Sequence, residues 1–146
     1  MTLPASPDCE PYKIQAVIQV NVFVVENAPE IRSRLIKMLR TVAGINVVGE
    51  ADSVNKAIEG VLGSAADTLL LDLQLKDGSG LDVLARVKTA RPALRAIVLT
   101  NLVSPQYREA SLSAGAECCL DKSREFGLVP EILRGWIEAA SDRPVA

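Results

Sequence analysis

Five short apolar runs alternate with segments of helical periodicity, and this alternation constrains the fold more than any other feature of the chain. The runs have the length and β-branched content of buried strands, and the segments between them carry apolar residues three and four positions apart. Strands that alternate with helices form a parallel sheet covered on both faces. The strand candidates are QVNVFVVE, INVVGEA, DTLLLD, RAIVLTN and AECCLDK, and the helix candidates are PEIRSRLIKMLRTV, SVNKAIEGVLG, GLDVLARVKTA, SPQYREASLSAG and VPEILRGWIEAA.

The length of the chain favours a single domain. Its 146 residues suffice for one core and are too few for a second domain of ordinary size. The first sixteen residues hold three of the eight prolines and show no periodicity. We therefore expect a flexible N-terminal arm over 1–16, a folded domain over 17–140 and a C-terminal tail over 141–146.

Composition excludes several classes of function. The formal net charge of -2 gives no basic surface for nucleic acid, so direct DNA binding is not expected. The chain lacks an apolar run of membrane-spanning length, and its N-terminus lacks the pattern of a signal peptide, which predicts a cytoplasmic protein without membrane attachment. The three cysteines have no histidine partners and are expected to be free thiols.

Polar side chains follow the apolar strands at the ends where a parallel sheet binds its ligands. Glu26 and Asn27 follow the first strand and Asp72 the third; Thr100 follows the fourth and Lys122 the fifth. Carboxylate and amide oxygens suit Mg²⁺, and a carboxylate is also a nucleophile that can accept a phosphoryl group. A lysine and a threonine could bind the added phosphoryl oxygens. For Asn27, a helix cap and a metal ligand are equally open interpretations.

Four segments, in order, resemble the receiver domain of two-component response regulators: VFVVEN, LLLDLQLKDGSG, IVLTN and CCLDKS. The resemblance covers roughly Asn21 to Ala140, and it implies a doubly wound, flavodoxin-like (CheY-like) α/β fold with sheet order 2-1-3-4-5. It also implies the following roles: Asp72 as phosphoacceptor, Thr100 as switch hydroxyl, Lys122 as phosphate-binding lysine, and Glu26, Asn27, Asp72 and the backbone carbonyl of Gln74 as magnesium ligands.

The implied function is that of a stand-alone receiver. Such a domain takes its phosphoryl group from a histidine kinase or phosphotransfer protein and signals by binding a downstream protein through helices four and five. The stretches INVVGEA and LDKS are most similar to receivers that carry helix-turn-helix output domains, but we expect no output domain here. A homodimer is left open.

Several positions depart from the family pattern. Asn27 replaces the usual second acid, which changes the summed charge of the occupied site from about zero to about +1, so we expect weak magnesium binding. Asn101 replaces a small residue, Cys119 an aromatic switch residue, and Lys76 a proline, which we expect to loosen the loop after Asp72. The changes at Asn27, Asn101 and Cys119 favour an alternative, a degenerate receiver that binds its partner without phosphorylation.

An enzyme of the haloacid-dehalogenase type also begins with an aspartate after an apolar strand. It needs a second acid two residues later, where this chain has Gln74. Flavin binding would need a phosphate-binding loop after the first strand, and ENAPE offers neither serine nor glycine for it. We therefore predict a phosphoacceptor signalling domain and not an enzyme.

Overall fold

The computed structural model describes residues 19–102 and 104–141, and five parallel strands form its central sheet. All neighbouring strands pair in parallel, in the spatial order β2-β1-β3-β4-β5, which confirms the predicted flavodoxin-like arrangement. The strands are β1 (Val20–Val25), β2 (Ile45–Ala51), β3 (Thr68–Leu71), β4 (Arg95–Thr100) and β5 (Cys118–Asp121).

Five helices connect these strands. They are α1 (Pro29–Arg40), α2 (Val54–Leu62), α3 (Gly80–Ala90), α4 (Pro105–Ser113) and α5 (Leu128–Ser141). A short antiparallel hairpin, Gln74–Leu75 with Gly78–Ser79, lies between β3 and α3. The predicted arm over 1–16 and residues 142–146 of the predicted tail lie outside the described residues. No helix within the described ranges is long and apolar enough to cross a membrane.

The apolar core has two layers, one on each face of the sheet, and β1 contributes to both. Its side chains alternate, so Val22 and Val24 face the layer of α1 and α5 while Phe23 and Val25 face the layer of α2 and α3. This burial on both faces explains why the strand reads as a continuous apolar run. The buried helix side chains include Leu35 and Leu39 of α1, Val129 and Leu133 of α5, Ala57 and Val61 of α2, and Val83, Leu84 and Val87 of α3.

The ring of Phe23 fits between two glycines. A Cβ atom added at Gly49 of β2 or at Gly60 of α2 would overlap this ring. The absence of a side chain at these two positions therefore lets the aromatic ring fill the space between β2 and α2.

The start of α4 agrees with the helix candidate that begins at Ser104, whereas the start of α1 differs from the cap interpretation of Asn27. Ser104 caps α4, because its hydroxyl accepts a hydrogen bond from the N–H of Tyr107 at 3.5 Å. The cap interpretation of Asn27 is wrong, since the N-cap position of α1 is Ala28 and Asn27 is exposed. The carboxylate of Glu26 accepts a hydrogen bond from the Ala28 N–H at 2.9 Å, so the side chain that binds the backbone before α1 is that of Glu26 and not that of Asn27.

Candidate functional site

The polar residues predicted at the strand ends lie at one edge of the sheet because the backbone ladder continues past the strands. The N–H of Glu26 donates to Ala51, that of Asp72 to Val25, and that of Lys122 to Thr100, at 2.9 to 3.0 Å. Each bond extends the parallel pairing by one residue. The first polar side chain after each strand is thereby held in register with its neighbours.

Lys122 joins two buried carboxylates. Its Nζ atom lies 2.8 Å from Oε1 of Glu26 and 2.8 Å from Oδ2 of Asp72. The Lys122 side chain is only 9% exposed, that of Glu26 2% and that of Asp72 4%. The second oxygen of Asp72 accepts the N–H of Gln74 at 3.2 Å. Two carboxylates and one ammonium leave this buried ion cluster with one net negative charge.

Burial and hydrogen bonding oppose one another in this cluster. Burial raises the pKa of Glu26 above the ordinary carboxyl value, although hydrogen bonds from Lys122 and the Ala28 N–H act in the other direction. Burial disfavours the charge of Lys122, but its hydrogen bonds to Asp72 and Glu26 outweigh that effect and raise its pKa. Lys122 is therefore a permanent cation at physiological pH.

Thr100 and the two asparagines occupy different positions around the cluster. Thr100 is fully buried, and its hydroxyl oxygen accepts the N–H of Leu102 at 3.1 Å, which leaves its hydroxyl proton to be donated elsewhere. Asn101 is exposed and accepts a hydrogen bond from the hydroxyl of Ser123 at 3.3 Å. Asn27 is exposed at the rim. The structure thus brings Glu26, Asp72 and Lys122 into contact but not Asn27.

The oxygen ligands predicted for magnesium are of the right chemical type, but they carry one negative charge fewer than the usual site of the family. Carboxylates, an amide and a backbone carbonyl are hard oxygen ligands. Within the described residues, however, no three acidic, cysteine or histidine side chains come together in a way that could hold a metal ion. The amide at Asn27 removes the third acid, and the ammonium of Lys122 already contacts both remaining carboxylates.

The loop after Asp72 is held at several points. Lys76 Nζ lies 3.1 Å from Oδ2 of Asp52 at the end of β2, and the N–H of Lys76 donates to the carbonyl of Asp52 at 3.4 Å. The Asp77 carboxylate accepts backbone N–H groups at the start of α2. The loop that we expected Lys76 to loosen is instead tied to the β2–α2 turn. Gly80 lets α3 start against the backbone of Asp72, because a Cβ there would overlap the Asp72 carbonyl.

A cleft of about 310 Å³ opens beside the ion cluster. Sequence reasoning missed most of its lining, because Arg34 reads as a solvent-facing helix residue and Phe126 as part of a loop. The two are brought together only by the packing of α1 against the β5–α5 loop. The lining residues are Ile31, Arg34, Asn101, Lys122, Ser123 and Phe126.

A family comparison matches most of the described chain. Residues 22–134 match the model of the response regulator receiver domain. The DNA-binding transcriptional activator DevR/DosR of Mycobacterium tuberculosis is 33% identical over 97 residues, which cover 66% of this chain and 45% of that protein. The probable transcriptional regulatory protein TcrX of the same organism is 30% identical over 79% of this chain and 47% of its own length. The chain spans about half the length of these relatives.

Solved structures show the same fold. The non-phosphorylated receiver domain of the stress response regulator RcsB from Escherichia coli superposes with a TM-score of 0.75 at 25% identity, over 83% of this chain and 95% of that one. The response regulator domain of CheB from Thermotoga maritima superposes with a TM-score of 0.73 at 21% identity, over 87% and 99% of the respective chains, which is a likeness of fold.

Proposed function

This chain belongs to the response regulator receiver domain family, and on that premise we propose that Asp72 accepts a phosphoryl group from a histidine kinase or phosphotransfer protein. Receiver domains are signalling domains, so the chemistry proposed here is limited to the domain's own phosphorylation and dephosphorylation. The observation that carries the proposal is the buried contact of 2.8 Å between Lys122 and Asp72 at the carboxyl edge of the sheet.

The proposed step is a displacement at phosphorus. An oxygen of the Asp72 carboxylate forms a bond to phosphorus while the bond between phosphorus and the donor breaks, and the donor leaves with that electron pair. Lys122 then balances the charge of the phosphoryl oxygens as a buried cation. Thr100, whose hydroxyl proton is free to be donated, supplies a hydrogen bond to the same group.

Magnesium is the cofactor that receivers generally bind at this site. Glu26, Asn27, Asp72 and the carbonyl of Gln74 would hold it, with weak affinity because Asn27 is uncharged and exposed. Bound there, the ion would neutralise charge on the phosphoryl group during transfer.

Helices α4 and α5 are the proposed contact surface for a downstream protein. Arg108 of α4 donates a hydrogen bond at 2.8 Å to the carbonyl of Cys119 in β5, the strand that ends just before Lys122. A change in the partners of Lys122 therefore has a short covalent and hydrogen-bonded route to α4. Tyr107 and Leu112 expose apolar surface on this helix, 42% and 47% respectively, which suits a protein partner.

Intact mass spectrometry tests the proposal. The native chain and Asp72→Asn are incubated with acetyl phosphate or phosphoramidate, each with and without magnesium. We expect a gain of one phosphoryl group on the native chain that requires magnesium and is absent from Asp72→Asn. If no adduct forms at high magnesium, phosphorylation is rejected, and partner binding by the unmodified domain becomes the function to test.

A further inference from the structure

We propose that the cleft between α1 and the β5–α5 loop is the subsite for the leaving group of a small, anionic acyl phosphate, and that Arg34 determines this donor specificity. The inference rests on the proposed phosphorylation of Asp72. It adds Arg34 to the residues of that reaction and a small acyl phosphate to its phosphoryl donors. The other donor class is a histidine-containing protein.

The position of the cleft fits a leaving group. Asp72 itself does not line the cleft, but Lys122 does, and its ammonium contacts the Asp72 carboxylate at 2.8 Å, so one side chain links the cleft to the proposed nucleophile. In an in-line displacement the leaving group lies on the side of phosphorus away from the nucleophile and needs room outside the strand ends. The cleft volume of about 310 Å³ is within the range of small-molecule sites.

Arg34 is held at this cleft by its ring contact. Its Cζ atom lies 5.0 Å from the centroid of the Phe126 ring. Such a cation–π contact uses the charge of the guanidinium and leaves its N–H donors for an anion. By contrast, the nearby Arg32 is engaged by the carboxylate of Glu50 and the carbonyl of Glu26, both at 2.8 Å. Arg34 is therefore the α1 arginine placed to meet a donor in the cleft.

The chemistry of the lining matches an acyl phosphate. Arg34 supplies positive charge that no carboxylate of the ion cluster compensates, Asn101 and Ser123 supply polar groups, and the walls include Ile31 and Phe126. For acetyl phosphate, the bond from phosphorus to the acyl oxygen breaks and acetate leaves with the electron pair. The anionic acetate can bind Arg34 while its methyl group contacts the apolar walls. Phosphoramidate carries less negative charge and releases ammonia, which gains nothing from an arginine.

The test compares two donors on matched variants. Arg34→Gln removes the charge in the cleft, and Arg40→Gln removes the same charge from an exposed position at the end of the same helix. The second-order rate constant for phosphorylation is measured by intact mass with acetyl phosphate and with phosphoramidate. We expect Arg34→Gln to slow acetyl phosphate about 3- to 10-fold and phosphoramidate less than about twofold, since the arginine is solvent-exposed and partly screened.

Two further measurements sharpen the result. Phe126→Leu keeps an apolar wall and removes the ring that holds Arg34. We expect it to slow phosphorylation by acetyl phosphate less than Arg34→Gln does, and again to slow acetyl phosphate more than phosphoramidate. Added salt should slow the native chain with acetyl phosphate more than it slows Arg34→Gln, because screening acts on the charge that the variant lacks.

The outcomes separate this inference from the proposed function. If the native chain is phosphorylated by both donors but Arg34→Gln matches Arg40→Gln, or slows both donors equally, the subsite is rejected and the function of Asp72 stands. If neither donor phosphorylates the native chain, the proposed function fails and the subsite fails with it.

Discussion

Lys122 and Lys76 both pair with aspartates at the carboxyl edge of the sheet, and the two pairs differ mainly in burial. Lys122 is 9% exposed and shares its charge between Glu26 and Asp72 at 2.8 Å. Lys76 is 63% exposed and contacts Asp52, which is 19% exposed, at 3.1 Å, and the 72% exposed Lys56 approaches the same aspartate at 3.8 Å. Lysine–aspartate pairs of similar distance thus occur at the same edge of the sheet, one with a buried lysine and one with a solvent-exposed lysine.

The difference in burial sets how much each pair affects the stability of the domain. A buried ion pair is costly to assemble, and loss of one partner leaves an uncompensated charge in the protein. An exposed pair is screened by water and salt and contributes little. The buried ion cluster is therefore a charged site maintained at a cost in stability, whereas the Lys76–Asp52 pair is one of several contacts that hold a loop.

The largest effect should follow from Lys122→Met. The change keeps an apolar stem but leaves Glu26 and Asp72 buried without their cation. At pH 7 we expect the free energy of unfolding to fall by about 3 kcal/mol, the size of loss that follows when one partner of a buried ion pair is removed. Urea unfolding at pH 7 and pH 4.5 measures it, and the loss should shrink at the lower pH, because burial raises the pKa of Glu26 and so favours its protonation there. A loss below that of Lys76→Met would contradict the comparison.

Asn27→Asp should sharpen the comparison by adding a carboxylate at the rim of the buried ion cluster. Asn27 is exposed, so the added charge stays solvated and adds a ligand without breaking a contact. We expect magnesium to bind about tenfold more tightly, equivalent to about 1.4 kcal/mol. Calorimetric titration of both proteins measures it, with Asp72→Asn as the control that loses a central ligand. Equal magnesium affinities would show that Asn27 does not limit the site.

Glu26→Gln should have a smaller effect that depends on pH. Burial raises the pKa of Glu26, so the folded protein binds this proton more tightly than the unfolded chain does. The native free energy of unfolding must then fall as the pH rises from the ordinary carboxyl pKa through the raised one. The amide cannot titrate, so the stability of Glu26→Gln relative to the native chain should improve from pH 4 to pH 7. Denaturation curves across this range would contradict the prediction if the difference stayed constant.

The parallel sheet and the chain positions of the polar edge could be predicted because both follow from local patterns, whereas the strand order was implied by the resemblance to receiver domains. Apolar runs mark buried strands, and the carboxyl ends of parallel strands share one edge, so Asp72 and Lys122 could be expected there together. The contact of Lys122 with Glu26 was not predicted. It depends on how a long side chain that follows β5 reaches past the ends of β4 and β3, which no local pattern encodes.

The contacts that sequence reasoning missed join segments that are distant along the chain. Arg34 meets Phe126, and Lys76 meets Asp52, through tertiary packing that leaves no periodic or motif signal. The cap interpretation of Asn27, one of the two left open, is wrong for a different reason. Its Asn-x-Pro-Glu pattern is typical of a helix start, but the N-cap position is Ala28, without a side-chain cap, and the Ala28 N–H donates to the buried Glu26 carboxylate.

The smallest effect should follow from Lys76→Met, the same substitution in the exposed pair. The lysine lowers the pKa of Asp52 mainly through a side-chain hydrogen bond, but water replaces that bond readily at an exposed side chain. The loop also keeps its backbone bond from Lys76 to Asp52 and the contacts of Asp77 with α2. We therefore expect an unchanged denaturant midpoint, an unchanged rate of phosphorylation by acetyl phosphate, and amide hydrogen exchange in the loop only slightly faster than in the native chain. A midpoint shift as large as that of Lys122→Met would mean that pair geometry, and not burial, determines the strength of these contacts.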